Sequence, residues 1–152
     1  MPPRLDSTAQ PDLLGWTEPQ TALAFDEGEV RGASVAARMA RAVAVALKDC
    51  GKPRRQVAQQ MSDFLGEDVS PAMIDAYASV AREAHRISLP RFLALVHVTG
   101  DRRLLQMLAD QMGWAVVEKR HLPLIEIAMI REKEDDLKRR RDALMRKARG
   151  GA

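Results

Sequence analysis

Cysteine is nearly absent. The single Cys50 has no second thiol to pair with, so an internal disulfide is excluded and the chain suits a reducing, cytoplasmic setting. Cys50 stands at the end of an expected helix without residues suggesting a nucleophile, and reads as an incidental or structural thiol. Aromatic side chains make up only 4% of the chain against 46% apolar, which leaves Ala, Leu, Val, Ile and Met to build the core and favours helices. No apolar run approaches the length of a membrane span, and no basic segment followed by an apolar one opens the chain, so neither insertion nor export is expected. His85, His97 and His121 are far apart, and paired cysteines and an H-E-x-x-H motif are missing, which argues against a metal site. The glycines fall where helices should end rather than in a phosphate-cradling loop. No cofactor is implied, and an enzyme has little support.

Charge is plentiful but unevenly spread. The net charge is +3, yet residues 1–30 hold six acidic side chains against Arg4, leaving the rest of the chain at +8, a balance compatible with a polyanionic partner. Residues 1–32 contain Pro2, Pro3, Pro11 and Pro19, lack sustained periodicity, and read as a flexible acidic arm. Within it Leu13, Leu14, Trp16, Leu23 and Phe25 either staple the arm to the folded part or form a short partner motif.

Residues 33–121 read as a compact all-α bundle of about five helices. Val35, Met39, Ala42, Val43, Ala46 and Leu47 share one face of a helix from Ala33 to Lys48. Gly51 and Pro53 end it and start the next, with Arg54 and Arg55 in the first turn. Cations there oppose the helix dipole, but beside free N–H groups they can grip a phosphate; a solvated turn is the other reading for Lys52, Arg54 and Arg55. Val57, Ala58, Met61, Phe64 and Leu65 recur at helical spacing until Gly66. Ser70 then offers a capping hydroxyl, with Pro71 at the first helical position.

The following helix should bury Ile74 and Tyr77, turn Ser70, Ala72, Met73, Asp75, Ala76 and Ser79 outward, and continue to about Ala84 with Arg82, followed by His85 and Arg86. This is a helix-turn-helix pattern, its link one helical turn longer than the shortest form. In a groove, Asp75 could accept from cytosine and Ala72 or Met73 could touch a thymine methyl, but guanine finds no cation there. A helix pair without DNA contact is the plainer alternative.

Ser88 and Asp101 are the next expected caps. They open helices that bury Leu89, Phe92, Leu93 and Val96, then Leu104, Leu105, Leu108 and Met112, with Gly100 and Gly113 as stops and Arg102 and Arg103 either solvated or in phosphate contact. Trp114–Glu118 is the one strand-like stretch, either an extended link or a strand for another chain. Residues 122–152 read as a long charged helix with a basic tail. Ile130, Leu137 and Leu144, spaced by seven, fill one seam position of a two-chain coiled coil, while a solvated helix packed on its own domain at its N-terminal half explains them nearly as well. The run Lys138–Arg149, seven cations against Asp142, serves either solubility or attraction to phosphate.

The runs 66-GEDVSPAMIDAYAS-79 and 85-HRISLPRFLALVHVTGDRRLLQMLADQMG-113, with their V-S cap, I-x-x-Y pair, S-L-P-R helix start and T-G-D-x-x-L-L junction, resemble the small regulators of temperate and Mu-like bacteriophages. Within these the chain is most similar to the phage CII-type helix-turn-helix proteins, over about residues 54–118. The resemblance implies a sequence-specific regulator that binds double-stranded DNA as a homo-oligomer, with Ser70–Ser79 as its groove helix. On this reading Arg54, Arg55, Gln56, Arg82 and Arg86 hold the backbone, and Ser70, Ala72, Met73, Asp75 and Ser79 meet base edges. The rival is a phage protein-interaction adaptor or assembly protein that never touches DNA.

Overall fold

A computed structural model describes residues 23–82 and 85–150. Among these the chain forms α-helices, one 3-10 turn and no strand. The order is α1 (Glu27–Val30), α2 (Val35–Asp49), α3 (Arg54–Leu65), α4 (Pro71–Tyr77), α5 (Leu89–Thr99), α6 (Arg103–Asp110), the 3-10 turn (Lys119–His121) and α7 (Leu122–Gly150). No helix among the described residues is long and apolar enough to cross a membrane.

The most extensive packing is α3 against α5, with α2 closing the core against α1, α4 and α6. Val43, Leu47, Val57, Met61, Ile74, Leu95 and Leu104 are fully buried at the centre. Each such aliphatic side chain contributes about 1.5–3 kcal/mol by leaving water. Phe25 and Val30 join this core from the stretch expected to be a loose arm. Leu13, Leu14 and Trp16 lie outside the described residues.

Local chemistry sets most helix ends. Ser34 accepts from Ala37 N at the start of α2, and Ser70 accepts from Met73 N at the start of α4, with Pro71 behind it. Gly66 takes φ 69° and closes α3 by donating its N–H to Ser62 O at 2.8 Å. The link to α4 is tied back onto α3: the Ser62 hydroxyl accepts from Val69 N at 2.9 Å, and Val69 is buried.

Several expected orientations are corrected. Ala76 is buried rather than outward, because α4 is pressed between α2 and α3 and only Pro71, Ala72 and Asp75 remain open. The helix stops at Tyr77 rather than near Ala84, and the chain turns, with Arg82 N bonding Ser79 O and His85 N bonding Arg82 O. Phe64 is half exposed in the last turn of α3, where it stacks on His97 of α5 at 4.5 Å instead of entering the core. In α5 the buried stripe runs through Phe92, Leu95 and Val98, leaving Leu89 and Leu93 exposed, and Ser88 makes no side-chain cap bond. Val35 and Met112, at helix margins, are also exposed.

Arg103 is not solvated. It lies over the Phe25 ring at 4.4 Å and bonds Asp49 at 2.6 Å and Asp101 at 2.7 Å, joining the segment before α1 to the end of α2 and the start of α6. Arg102 likewise bonds Glu118 at 2.7 Å. Residues 114–118 are an extended link. Buried Gln106 of α6 accepts from Val116 N at 2.7 Å and donates to Trp114 O at 3.3 Å, so a side chain takes the bonds that a neighbouring strand would have made.

The long helix α7 departs furthest from a packed expectation. None of its residues is buried, its N-terminal half included, so it does not lie on its own domain.

Candidate nucleic-acid interface

Ten residues were singled out by sequence, and the structure divides them into two groups. The first surrounds the N-termini of α3 and α4. Arg54 Nε donates to Asp75 Oδ1 at 3.0 Å and its Nη1 to Leu47 O at 3.3 Å, bridging the start of α3, the middle of α4 and the end of α2. Arg55 and Gln56 follow it in the first turn of α3 and are exposed. With Pro53, Gln59 and Gln60 they line a shallow groove. Ala72 and Asp75 stand exposed on α4, while Ser70 is half-buried with its oxygen engaged in the cap. Met73, expected outward, is half-buried against the core.

The second group lies past the other end of α4, a helix of seven residues and thus roughly 10 Å long. Half-buried Ser79 and exposed Arg82 and Arg86 line a cavity of about 400 Å³ between the first turns of α2 and the α4–α5 connection. Its walls are mainly apolar: Val35, Met39, Val80, Ile87, Leu89 and Phe92 contribute. The sequence pattern missed this cavity because its wall residues come from separate segments, each unremarkable alone.

Electrostatics around α4 is set by paired charges. The Arg54–Asp75 contact cancels the one negative charge on the exposed face of α4. Behind it, Arg91 of α5 donates to Glu67 at 2.9 Å and to the Tyr77 hydroxyl at 2.6 Å. The bonds to Glu67 first and Tyr77 second hold the Arg91 guanidinium above its ordinary pKa. Arg103 is also raised, chiefly by its bond to Asp101, with Asp49 adding to it against the opposing effect of burial. Lys52, one of the cations considered for phosphate, is committed elsewhere: it donates to Val98 O at 2.6 Å and Gln60 at 3.0 Å, tying the start of α3 to the last turn of α5.

Among the described residues no group of three His, Cys, Asp or Glu side chains comes together to hold a metal ion. Comparison with family models, curated proteins and solved structures found no match to this chain.

Proposed function

We propose that the chain is a sequence-specific regulator of phage or prophage transcription that binds double-stranded DNA as a homodimer, with α3, the 66–70 link and α4 acting as a helix-turn-helix. The observation that carries this reading is the Arg54–Asp75 bond on an open surface. It joins a residue expected to hold the DNA backbone to one expected to read a base, next to exposed Arg55, Gln56 and Ala72. An unpaired carboxylate on α4 would repel phosphates. Paired with Arg54 it approaches a polyanion without that penalty and keeps a lone pair for a cytosine amine. Ser70, Ala72 and Asp75 then meet base edges, while Arg54, Arg55 and Gln56 fix the backbone. Arg82 and Arg86 reach the sugar-phosphate wall from beyond the far end of α4. Met73 and Ser79, half-buried, act through the placement of α4.

The test is selection of bound duplexes from a random pool, followed by titration of the best one over salt. A phosphate-binding protein loses affinity with a log–log slope of about −0.9 per phosphate contact. Asp75→Ala should change the preferred sequence, whereas Arg55→Ala should weaken all duplexes alike. If no duplex is retained at low salt, the adaptor reading stands instead. That reading has an observation of its own, the apolar cavity beside Arg82 and Arg86, which suits an apolar side chain of a protein partner.

A further inference from the structure

Helix α7 presents Ile130, Leu137 and Leu144 along one side, each more than half exposed, on a helix of 29 residues without a buried position. Its charges are segregated. From Leu122 to Asp136 there are five acidic side chains against two basic, and from Lys138 to Arg149 seven basic against one acidic. The boundary between the blocks is Leu137, which is also the middle of the apolar row.

We infer that α7 pairs with α7 of a second copy of this chain, antiparallel, about a two-fold axis at Leu137. Level with each other in that arrangement are Leu137 and Leu137, Ile130 and Leu144, and Met129 and Met145, so apolar side chains meet apolar ones along the overlap. Beside the seam Glu134 of one copy meets Arg141 of the other, and at the second seam position Glu126 meets Lys147. Lys133 against Arg140 is the like-charged pair that opposes them. A parallel pairing would set every seam residue beside its own twin, so that Glu126, Lys133 and Arg140 each face a like charge, and would bring acidic block against acidic block and basic against basic. Like charges held together across an interface oppose association, so charge selects the antiparallel orientation.

The cations are free to make these exchanges. Arg139 bonds Asp136 and Arg141 bonds Asp142 within the helix, but these pairs are solvent-exposed and of little energetic weight. Pairing would cover part of the apolar surface that the isolated chain leaves in water. It would also carry the two helical domains at opposite ends, with Leu122 and its twin roughly 45 Å apart along the axis, from a rise of about 1.5 Å per residue.

The inference rests on the homodimer of the preceding section but not on DNA contact, so the test is made without DNA. Full-length Ile130→Cys and Leu144→Cys proteins, each also carrying Cys50→Ser, are mixed and oxidised, and the mass of the unlabelled wild-type chain is measured by sedimentation. A dimeric mass is expected, with the mixed disulfide exceeding either homodisulfide roughly tenfold or more. Reversing Arg141 and Lys147, the cations that meet Glu134 and Glu126 of the other copy, to Glu should leave helicity unchanged and remove the dimer. A monomeric wild-type chain overturns the inference and leaves the charge segregation to serve the helix's own dipole. A dimer that yields the Ile130→Cys homodisulfide, or no mixed disulfide, overturns the antiparallel arrangement.

Discussion

Single residues carry bonds in this fold that their exposure alone would not reveal. Gln106 is the sharpest case: its buried amide satisfies Val116 N and Trp114 O, and Gln106→Leu would fill the space while orphaning both. An unsatisfied buried backbone group costs about 1–3 kcal/mol, so urea denaturation should show a loss of that size, with faster amide exchange at Val116. Arg103→Lys should also destabilise, by about 1–2 kcal/mol, because an ammonium cannot both fork between Asp49 and Asp101 and lie flat on Phe25. A guanidinium whose pKa is raised above its ordinary value contributes stability that is complete below that ordinary value and lost only as pH climbs through the higher folded pKa. The cost of Arg103→Lys from this source should therefore be constant over roughly pH 6 to 10, and a thermal melt series checks it. By contrast Arg54 and Asp75 form an exposed pair, whose coupling in a double-mutant cycle should stay below about 1 kcal/mol. A large effect of Arg54→Ala on DNA affinity, beside that small effect on stability, would separate function from folding.

At the scale of elements, the turn between α3 and α4 is built by two residues that act differently. Gly66→Ala forces a side chain into left-handed backbone at φ 69° and should cost about 1–2 kcal/mol, although nothing lies within 4 Å of the added atom. Ser62→Ala removes the acceptor for buried Val69 N and should cost about 1–2 kcal/mol while leaving α3 itself helical. Denaturation of the two variants, with circular dichroism in water as the control, distinguishes backbone strain from a lost bond. Gly66, Ser70, Pro71 and Gly100 could be read from the chain because their effects are local to a helix end. Ser62 could not: its partner is seven residues away across a glycine, and no periodicity links them. The outward face of α4 was legible at Ala72 and Asp75 but not at Ala76, whose burial depends on where α2 crosses. The end of α4 was missed for the same reason, since nothing in Ala78–Arg82 forbids helix. The link Trp114–Glu118 looks strand-like in sequence because its residues are suited to extended backbone, and only the approach of Gln106 shows that a side chain completes it.

The whole molecule separates into a packed body and a helix that contributes nothing to that body's core. Among the described residues, every buried one lies between Phe25 and Ala109, and α7 starts thirteen residues beyond the last of them. Stability of the body should therefore be nearly independent of α7, whereas any association that runs through α7 should depend on it wholly. A chain ending at His121 is expected to melt within a few degrees of the full chain measured at high dilution, since a change of about 1 kcal/mol moves the midpoint of a domain this size by roughly 4–8 °C. The same truncation should abolish concentration dependence in the melt, because only a chain that binds its own copy gains stability with concentration. If truncation instead lowered the melting temperature sharply at high dilution, α7 would have to pack on the body, against the exposure of Ile125, Ile127 and Ile130. For DNA binding the consequence is directional. Loss of α7 removes both the second copy and the cations of Lys138–Arg149, so affinity should fall and the salt slope should become shallower. The sequence preference set at Ala72 and Asp75 should persist in the truncated chain at low salt. Selection from a random pool with both chains tests this: the same half-site recovered from each would place recognition in the body and assembly in the helix.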